Sequence, residues 1–359
     1  MIDKGEPLMD LSNNSKRIEA LHGGDVYRNE VRLDFSVNLN PFPMPAEVAD
    51  AMQAGLSEIH QYPDPSQQKL REGIASLEGI AAENIICGNG ASELLMAAVH
   101  AVLPRKALIT SPCYAGYAVA LKASDAEITE YLLDEKKDFA LDEGVLDQIN
   151  DSTDMVFIAD PNNPNGRLIE PGLKKAIIEK CEACGVVLVI DECFYSLSEA
   201  GYERESVTDN ALHLRAFTKT FAIPGIRIGY MLSKDTELLN EIRKHLPEWN
   251  VSRIAERTGE AAAKILESTD YLKDSVHLIK QEREYLAGQL EKLGVRVYSS
   301  DINYLLIKCG SDLYEKLLGR GILIRRCANF SGLDDTYFRI AVRQHEDNEE
   351  LINILGKVL

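Results

Sequence analysis

The sequence predicts an α/β fold: a large domain on a mainly parallel sheet, then a smaller α+β domain. Two observations carry this reading. Asp154-Met-Val-Phe-Ile-Ala159 and Val186-Val-Leu-Val-Ile190 are continuous apolar runs of strand length. Such runs suit strands buried on both faces of a parallel sheet, where no polar alternation is needed. Helical patterns at Ala91–Leu103, Gly116–Ala123 and Gly172–Cys184 alternate with strand candidates, the mark of an α/β arrangement.

The elements follow in order. Residues 1–45 are polar, then rich in Asn, Pro and Gly, and read as an N-terminal arm. Residues 46–235 form the large domain. Its further strand candidates are Asn84–Cys87, Lys106–Thr110, Ala211–Arg215 and Ile226–Leu232. Residues 236–359 form the small C-terminal domain, expected to pack with the arm. A charged, helix-rich stretch runs from Thr236 to Leu293. Strand candidates follow at Val295–Tyr298, Tyr304–Lys308, Ile322–Ile324 and Tyr337–Val342, with a last helix from Asp347 to Leu359.

Composition narrows the function classes. A net charge of -18 over 359 residues argues against a nucleic-acid partner. No apolar stretch is long enough to span a membrane, and Met1–Lys16 does not read as a signal peptide. The seven cysteines are scattered. Cys181 and Cys184 form a C-x-x-C on a helical pattern with no second pair nearby, so they read as ordinary helix residues, with no metal site. A reducing cytoplasm is the expected location.

Four motifs carry chemistry. Gly88-Asn-Gly-Ala-Ser-Glu-Leu-Leu95 follows a strand and opens a helix, where glycines let backbone N–H groups converge on an anion. Asp160-Pro-Asn-Asn-Pro-Asn-Gly166 is a stiff loop at a strand's C-terminal end, where ligands of α/β sheets gather. In Val189-Ile-Asp-Glu-Cys-Phe-Tyr195, Asp191 closes a buried strand and needs a cationic partner; a pyridinium N–H is one. Arg215-Ala-Phe-Thr-Lys-Thr-Phe-Ala-Ile-Pro-Gly-Ile-Arg227 places Lys219 for a Schiff base and Arg227 for a phosphate.

In this order and spacing the motifs resemble the fold type I family of pyridoxal-phosphate enzymes, the class I/II aminotransferase family. The resemblance covers nearly the whole chain and implies a seven-stranded sheet and pyridoxal 5'-phosphate as cofactor. It implies that Lys219 binds the cofactor and shuttles protons, Asp191 meets the pyridine nitrogen, Asn163 contacts the ring oxygen and Tyr114 stacks on the ring. Gly90, Ala91, Ser92, Thr218 and Arg227 would surround the cofactor phosphate. Tyr62, in Gln-Tyr-Pro-Asp-Pro, resembles the tyrosine that reaches the phosphate from a second subunit, which implies a homodimer. Two positions depart from the family pattern. Ala216 stands where a phosphate-binding Ser or Thr is usual, leaving Thr218 or Thr220 to supply the hydroxyl. Phe194 stands where transaminases have Tyr.

Two subfamilies are similar to this chain, and both act on phosphorylated amine compounds. His22-Gly-Gly24, Asp34-Phe-Ser-Val-Asn-Leu-Asn-Pro41, Phe194 and the run Ile322–Leu333 leading to Arg343 resemble threonine-phosphate decarboxylase. The shared cofactor core and Tyr-Pro-Asp-Pro also resemble histidinol-phosphate aminotransferase. A pyridoxal enzyme breaks the bond standing perpendicular to the ring, so a decarboxylase must fix its substrate at two anions. The resemblance implies Arg339 for the carboxylate and Arg325, with His22 and Arg343, for the phosphate; guanidinium forks suit both. Asn40 is included among the substrate-side residues, and Arg326 reads as a surface charge.

Overall fold

The computed structural model describes residues 23–202, 207–208 and 211–359; His22 lies outside them. Among the described residues the strands in chain order are β1 (Leu33–Asp34), β2 (Ile85–Gly88), β3 (Lys106–Ser111), β4 (Glu127–Leu132), β5 (Met155–Ala159), β6 (Val187–Asp191), β7 (Ala211–Ala216), β8 (Gly229–Leu232), β9 (Arg296–Val297), β10 (Tyr304–Lys308), β11 (Ile322–Leu323), β12 (Arg325–Arg326) and β13 (Tyr337–Ala341).

Seven strands form the large sheet in the order β2-β8-β7-β6-β5-β3-β4. The β8 strand is antiparallel to both β2 and β7, and every other pair is parallel. This is the mainly parallel sheet that the apolar runs predict. Alternate residues of those runs serve two cores, because successive side chains in a strand point to opposite faces. Phe157, Val189, Leu212 and Leu214 pack with Leu94, Leu95 and Leu121 of the helices Ala91–Val102 and Gly116–Ala123. On the other face Val156, Ile158, Leu188 and Ile190 pack with Leu173, Ile177 and Cys181 of the helix Pro171–Cys184. Cys181 is buried there and, like Cys184, is a free thiol.

The C-terminal part holds a four-stranded antiparallel sheet, β12-β13-β10-β9. The arm crosses to it. Strand β1 pairs in parallel with β11, and Phe35 is fully buried beside Leu305, Ile324 and Phe338. The stretch from Thr236 resolves into three helices, Thr236–Arg243, Arg253–Ser268 and Tyr271–Lys292.

Two differences from expectation have physical reasons. Strand β8 begins at Gly229, not Ile226, because Arg227 has a left-handed φ of 61° that breaks the extended run. Strand β4, Glu-Ile-Thr-Glu-Tyr-Leu, was not anticipated. It is a polar, largely exposed strand at the sheet's edge and lacks the apolar signal of its neighbours.

Candidate active site

A cavity of about 270 Å³ opens at the C-terminal ends of β5, β6 and β7. Ligands of open α/β sheets bind there because loops diverge and leave a crevice. Lys219 enters the cavity from the single helical turn Phe217–Thr220 that follows β7. The arm fixes this turn. The Asn40 backbone N–H donates to the Lys219 carbonyl at 3.0 Å, and the Asn40 amide donates to the Thr220 carbonyl at 2.8 Å and to Ser275 Oγ at 2.9 Å. Asn40 is therefore a buried strut for the lysine turn and does not line the cavity. Burial lowers the Lys219 ammonium to about 8, and the Arg339 and Arg227 cations push the same way. A lysine so depressed carries a useful neutral fraction near neutral pH.

Asp191 ends β6 and faces the cavity. Two donors hold its carboxylate: Tyr117 Oη at 2.7 Å and the Cys193 N–H at 3.0 Å. Burial, then the neighbouring Asp191 charge, raises the Tyr117 phenol well above its ordinary value, so it stays a donor. Tyr117 is a site residue that the motif reading missed, although it stands three positions after Tyr114. Tyr114 lines the cavity, packs edge-on against Tyr117 at 5.5 Å and lies 3.3 Å from Ser92 Oγ. Phe194 is also in the wall, edge-on to Tyr304 at 5.2 Å, with Lys219 Nζ 5.6 Å from its ring centre.

At one end of the cavity the helix Ala91–Val102 presents its N-terminus with no side-chain cap among the described residues. Ala91 and Ser92 line the cavity beside Arg227. Gly90 has φ +80°, and a Cβ there would stand 2.4 Å from Arg227 Nη2. The bare glycine therefore makes room for the guanidinium at the helix start. Uncapped N–H groups, the helix dipole and an arginine together suit a phosphate. Ala216 and Thr218 are both in the wall. Thr218 Oγ1 donates to the Ile228 carbonyl at 3.3 Å, whereas the Thr220 hydroxyl lies 2.9 Å from Ser196 Oγ and is absent from the cavity. Of the two threonines, only Thr218 is near enough to stand in for a hydroxyl at 216. Tyr62 is not in this cavity. It is 80% exposed, with its ring centre 4.8 Å from that of Trp249.

The other end is cationic. Arg325 on β12 and Arg339 on β13 are directly paired in the sheet register, and both are buried in the cavity wall. Arg326 points to the opposite face, where it pairs with Glu315 and covers the Tyr314 ring. Arg339 donates to Asn163 Oδ1 and, at 3.0 Å, to the Ser36 carbonyl. Its buried Nε has no hydrogen-bond partner among the described residues. Arg325 donates to Asn329 Oδ1 at 2.9 Å and lies over the Phe330 ring. Burial, then the Arg339 charge, lowers Arg325 to about 10, and burial also lowers Arg339. Two adjacent buried guanidinium groups repel one another until anions separate their charges.

The structure does not bring Arg343 to this place. Its Nε donates to Asp347 at 2.7 Å and its Nη1 to the Asp34 carbonyl at 3.0 Å, so it ties the arm to the last helix. Gly23 lines the cavity at the described start of the arm, and Gly24 N–H donates to Ser36 Oγ at 2.7 Å. Asn38 was also missed by the motif reading. It is 2% exposed, lines the cavity, and neither end of its amide has a hydrogen-bond partner among the described residues. A buried amide with both ends unpaired costs free energy unless a ligand satisfies it.

The residues fit pyridoxal phosphate: a depressed lysine, a doubly held aspartate, a glycine cradle at a helix start and an arginine beside it. A match to the family model "Aminotransferase class I and II" extends over residues 30–355. The chain belongs to the class I and II aminotransferase family. Members of this family use pyridoxal phosphate. The chain is 35% identical over 336 residues to threonine-phosphate decarboxylase of Salmonella typhimurium, covering 91% of each. It is 32% identical to the histidinol-phosphate aminotransferase of Methanothermobacter thermautotrophicus, covering 90% of this chain and 87% of that one. Among solved structures, the histidinol-phosphate aminotransferase of Clostridium acetobutylicum aligns with a TM-score of 0.82 at 32% identity, over 91% of this chain and 98% of that one. Family membership accounts for the sheet order and for the cavity's position. Among the described residues no helix is long and apolar enough to cross a membrane, and no cluster of metal-ligating side chains is present.

Proposed function

We propose that this family member binds pyridoxal phosphate and decarboxylates a phosphorylated amino acid, L-threonine O-3-phosphate, to (R)-1-aminopropan-2-yl phosphate. The carrying observation is the pair of buried guanidinium groups, Arg325 and Arg339, in the same cavity as Lys219. A substrate with a carboxylate and a phosphate supplies one anion to each. Pyridoxal phosphate, when bound, would supply an electron sink for the loss of CO₂. Asp191 would hold the proton of a ring nitrogen, and Tyr117 and the Cys193 N–H keep that carboxylate aimed. Ala91, Ser92, Arg227 and Thr218 would hold the cofactor phosphate. Arg339, positioned by Asn163 and the Ser36 carbonyl, fixes the substrate carboxylate. Arg325 and the Asn38 Nδ2 donor receive the substrate phosphate, which gives Nδ2 an acceptor that it lacks among the described residues. Lys219, with a proton affinity near neutral, returns a proton to the carbon that lost CO₂.

Phe194 supports the same reading. It leaves Asn163 as the polar contact for a ring oxygen, where the family's transaminases have a second one. The exposed Tyr62–Trp249 pair supports a homodimer in which Tyr62 reaches the other copy's cavity. The test is incubation with L-threonine phosphate in the absence of any oxo acid. Release of CO₂ is expected. The second reading, transfer of the histidinol phosphate amine to 2-oxoglutarate, is favoured by the 32% identical relative. No CO₂ release together with brisk 2-oxoglutarate-dependent turnover would establish it instead.

A further inference from the structure

Beneath the cavity, on the opposite face of the sheet, lies a second set of charged side chains that the reaction does not use. The alternation of the strands places it there. Ala159, Asp191 and Leu214 face the cavity, and their neighbours Asp160, Glu192 and Arg215 face away. These neighbours form a continuous chain. Asp160 Oδ2 accepts from Lys174 Nζ at 2.9 Å, and Lys174 also donates to Glu192 Oε1 at 3.2 Å. Glu192 Oε2 accepts from Arg215 Nε at 2.7 Å; Arg215 Nη1 pairs with Glu78; and Glu78 Oε1 accepts from Tyr230 Oη at 2.7 Å. His213 Nδ1 lies 3.1 Å from Glu192 Oε1, and the Thr208 N–H donates to His213 Nε2. With Nε2 accepting from Thr208, Nδ1 is the nitrogen that can donate to Glu192.

The path crosses four adjacent strand ends in order: Asp160 after β5, Glu192 after β6, Arg215 on β7 and Tyr230 on β8. The same four ends carry the cavity's chemistry on the other face. The Asn163 loop follows β5, Asp191 closes β6, Lys219 follows β7, and Arg227 precedes β8. Lys174 is the link between the first two. It comes from the helix Pro171–Cys184, is 5% exposed, and its ammonium also lies 5.2 Å from the Tyr195 ring centre. It therefore fixes the start of the Asn163 loop to the Glu192–Tyr195 segment, which includes Cys193 and Phe194 of the cavity wall.

The charges are committed to one another. Burial alone would raise Glu192, but Arg215, His213 and Lys174 outweigh it and hold the carboxyl well below its ordinary value. Asp160, with Lys174 as its main cationic neighbour, is raised by burial. Stability is a poor reason for such a network, because well-packed apolar side chains usually serve as well or better. What a hydrogen-bonded ion chain adds is a unique lateral register.

We propose that this network, with Lys174 as its keystone, is a positioning device that sets Asp191, Asn163 and Lys219 relative to one another from the far side of the sheet. Lys174 acts through the strand ends and touches neither cofactor nor substrate. The proposal rests on the cofactor reading of the cavity. The wild-type protein tests that reading first: if pyridoxal phosphate does not bind it, the cofactor reading itself falls.

Two variants test the network. Lys174→Met removes the keystone. Asp160→Asn with Lys174→Met removes the pair together and keeps a side-chain oxygen for the Ile169 N–H, so no lone charge is left buried. For the double variant, kcat with L-threonine phosphate is expected to fall on the order of 10- to 100-fold, the scale of an ångström-sized misplacement. KM should change less than kcat, because Arg339 keeps its bond to the Ser36 carbonyl and Arg325 keeps its bond to Asn329, both outside the network. The dissociation constant of pyridoxal phosphate should rise, and the visible circular dichroism of the bound cofactor should weaken. The thermal midpoint should move by less than about 4 °C. Wild-type kcat, cofactor affinity and dichroism in both variants, with a lowered thermal midpoint, would make the network a structural ion cluster only and overturn the proposal.

Discussion

Gly90 offers a sharp test of the phosphate end. Its φ of +80° and ψ of 164° lie in a region that residues with a Cβ rarely adopt. Gly90→Ala therefore stores on the order of 1–3 kcal/mol of backbone strain in the folded chain. The added Cβ would also lie 2.4 Å from Arg227 Nη2 and 3.0 Å from Arg227 Cζ. The first contact is too close to persist, so the guanidinium must withdraw from the start of the helix. A charge-assisted hydrogen bond lost by the phosphate is worth roughly 1.5–3 kcal/mol. That is about 10- to 150-fold in the cofactor dissociation constant. The two effects separate experimentally. Urea denaturation of the apo-protein reads the strain, and equilibrium titration with pyridoxal phosphate reads the lost contact. Adding Gly90→Ala to Arg227→Ala should weaken binding little further, because the arginine is the group being displaced. Unchanged cofactor affinity in Gly90→Ala would refute the assignment of this helix start and Arg227 to the phosphate.

Three further outcomes follow from the same geometry. Asn38→Leu removes a buried amide with no partner among the described residues, so the ligand-free protein should gain about 1–3 kcal/mol in denaturation while KM for the phosphorylated substrate rises; an unchanged KM would remove Asn38 from the substrate site. Arg325→Met should lower kcat/KM for L-threonine phosphate by on the order of 100-fold or more, mainly through KM, and leave cofactor affinity alone, as steady-state kinetics and cofactor titration would read. The rate at which the apo-protein captures pyridoxal phosphate depends on neutral Lys219, so it should climb through a midpoint near 8 and level off well below the ordinary 10.5. Replacing Arg339 with Met removes a cation that depresses this lysine, and stopped-flow measurements should find the midpoint higher.

The fold was legible because its central strands are buried on both faces, and such strands write themselves as unbroken apolar runs. Edge strand β4 was not legible, since half of its surface meets solvent and its sequence is polar. The cofactor-facing residues were legible for another reason. Most sit at a strand end inside a short motif with glycines or prolines that fixes the local backbone, and Asp191 closes an unbroken apolar run, where a carboxylate stands out. Residues whose meaning depends on a partner far along the chain were harder. Asn40 and Arg343 were grouped with the substrate residues, and the structure makes both of them struts for the arm. Nothing in local spacing reveals that Asn40 faces Thr220 and Ser275, or that Arg343 faces Asp34. Asn38 and Tyr117 were passed over within stretches already singled out, because orientation, and not residue type, decides which side chain enters the cavity. Lys174 reads from sequence as one more surface lysine on a helix; only the fold puts it between two buried carboxylates.

The reaction itself is tested most directly by following the carboxyl carbon. L-threonine phosphate labelled at C1 is mixed with the holoenzyme, without oxo acid, and CO₂ and phosphorylated amine are counted. The account predicts equal amounts of the two, over many turnovers, with the bound cofactor keeping its aldehyde form. Label retained in the substrate, with rapid amine transfer from histidinol phosphate to 2-oxoglutarate, would contradict it.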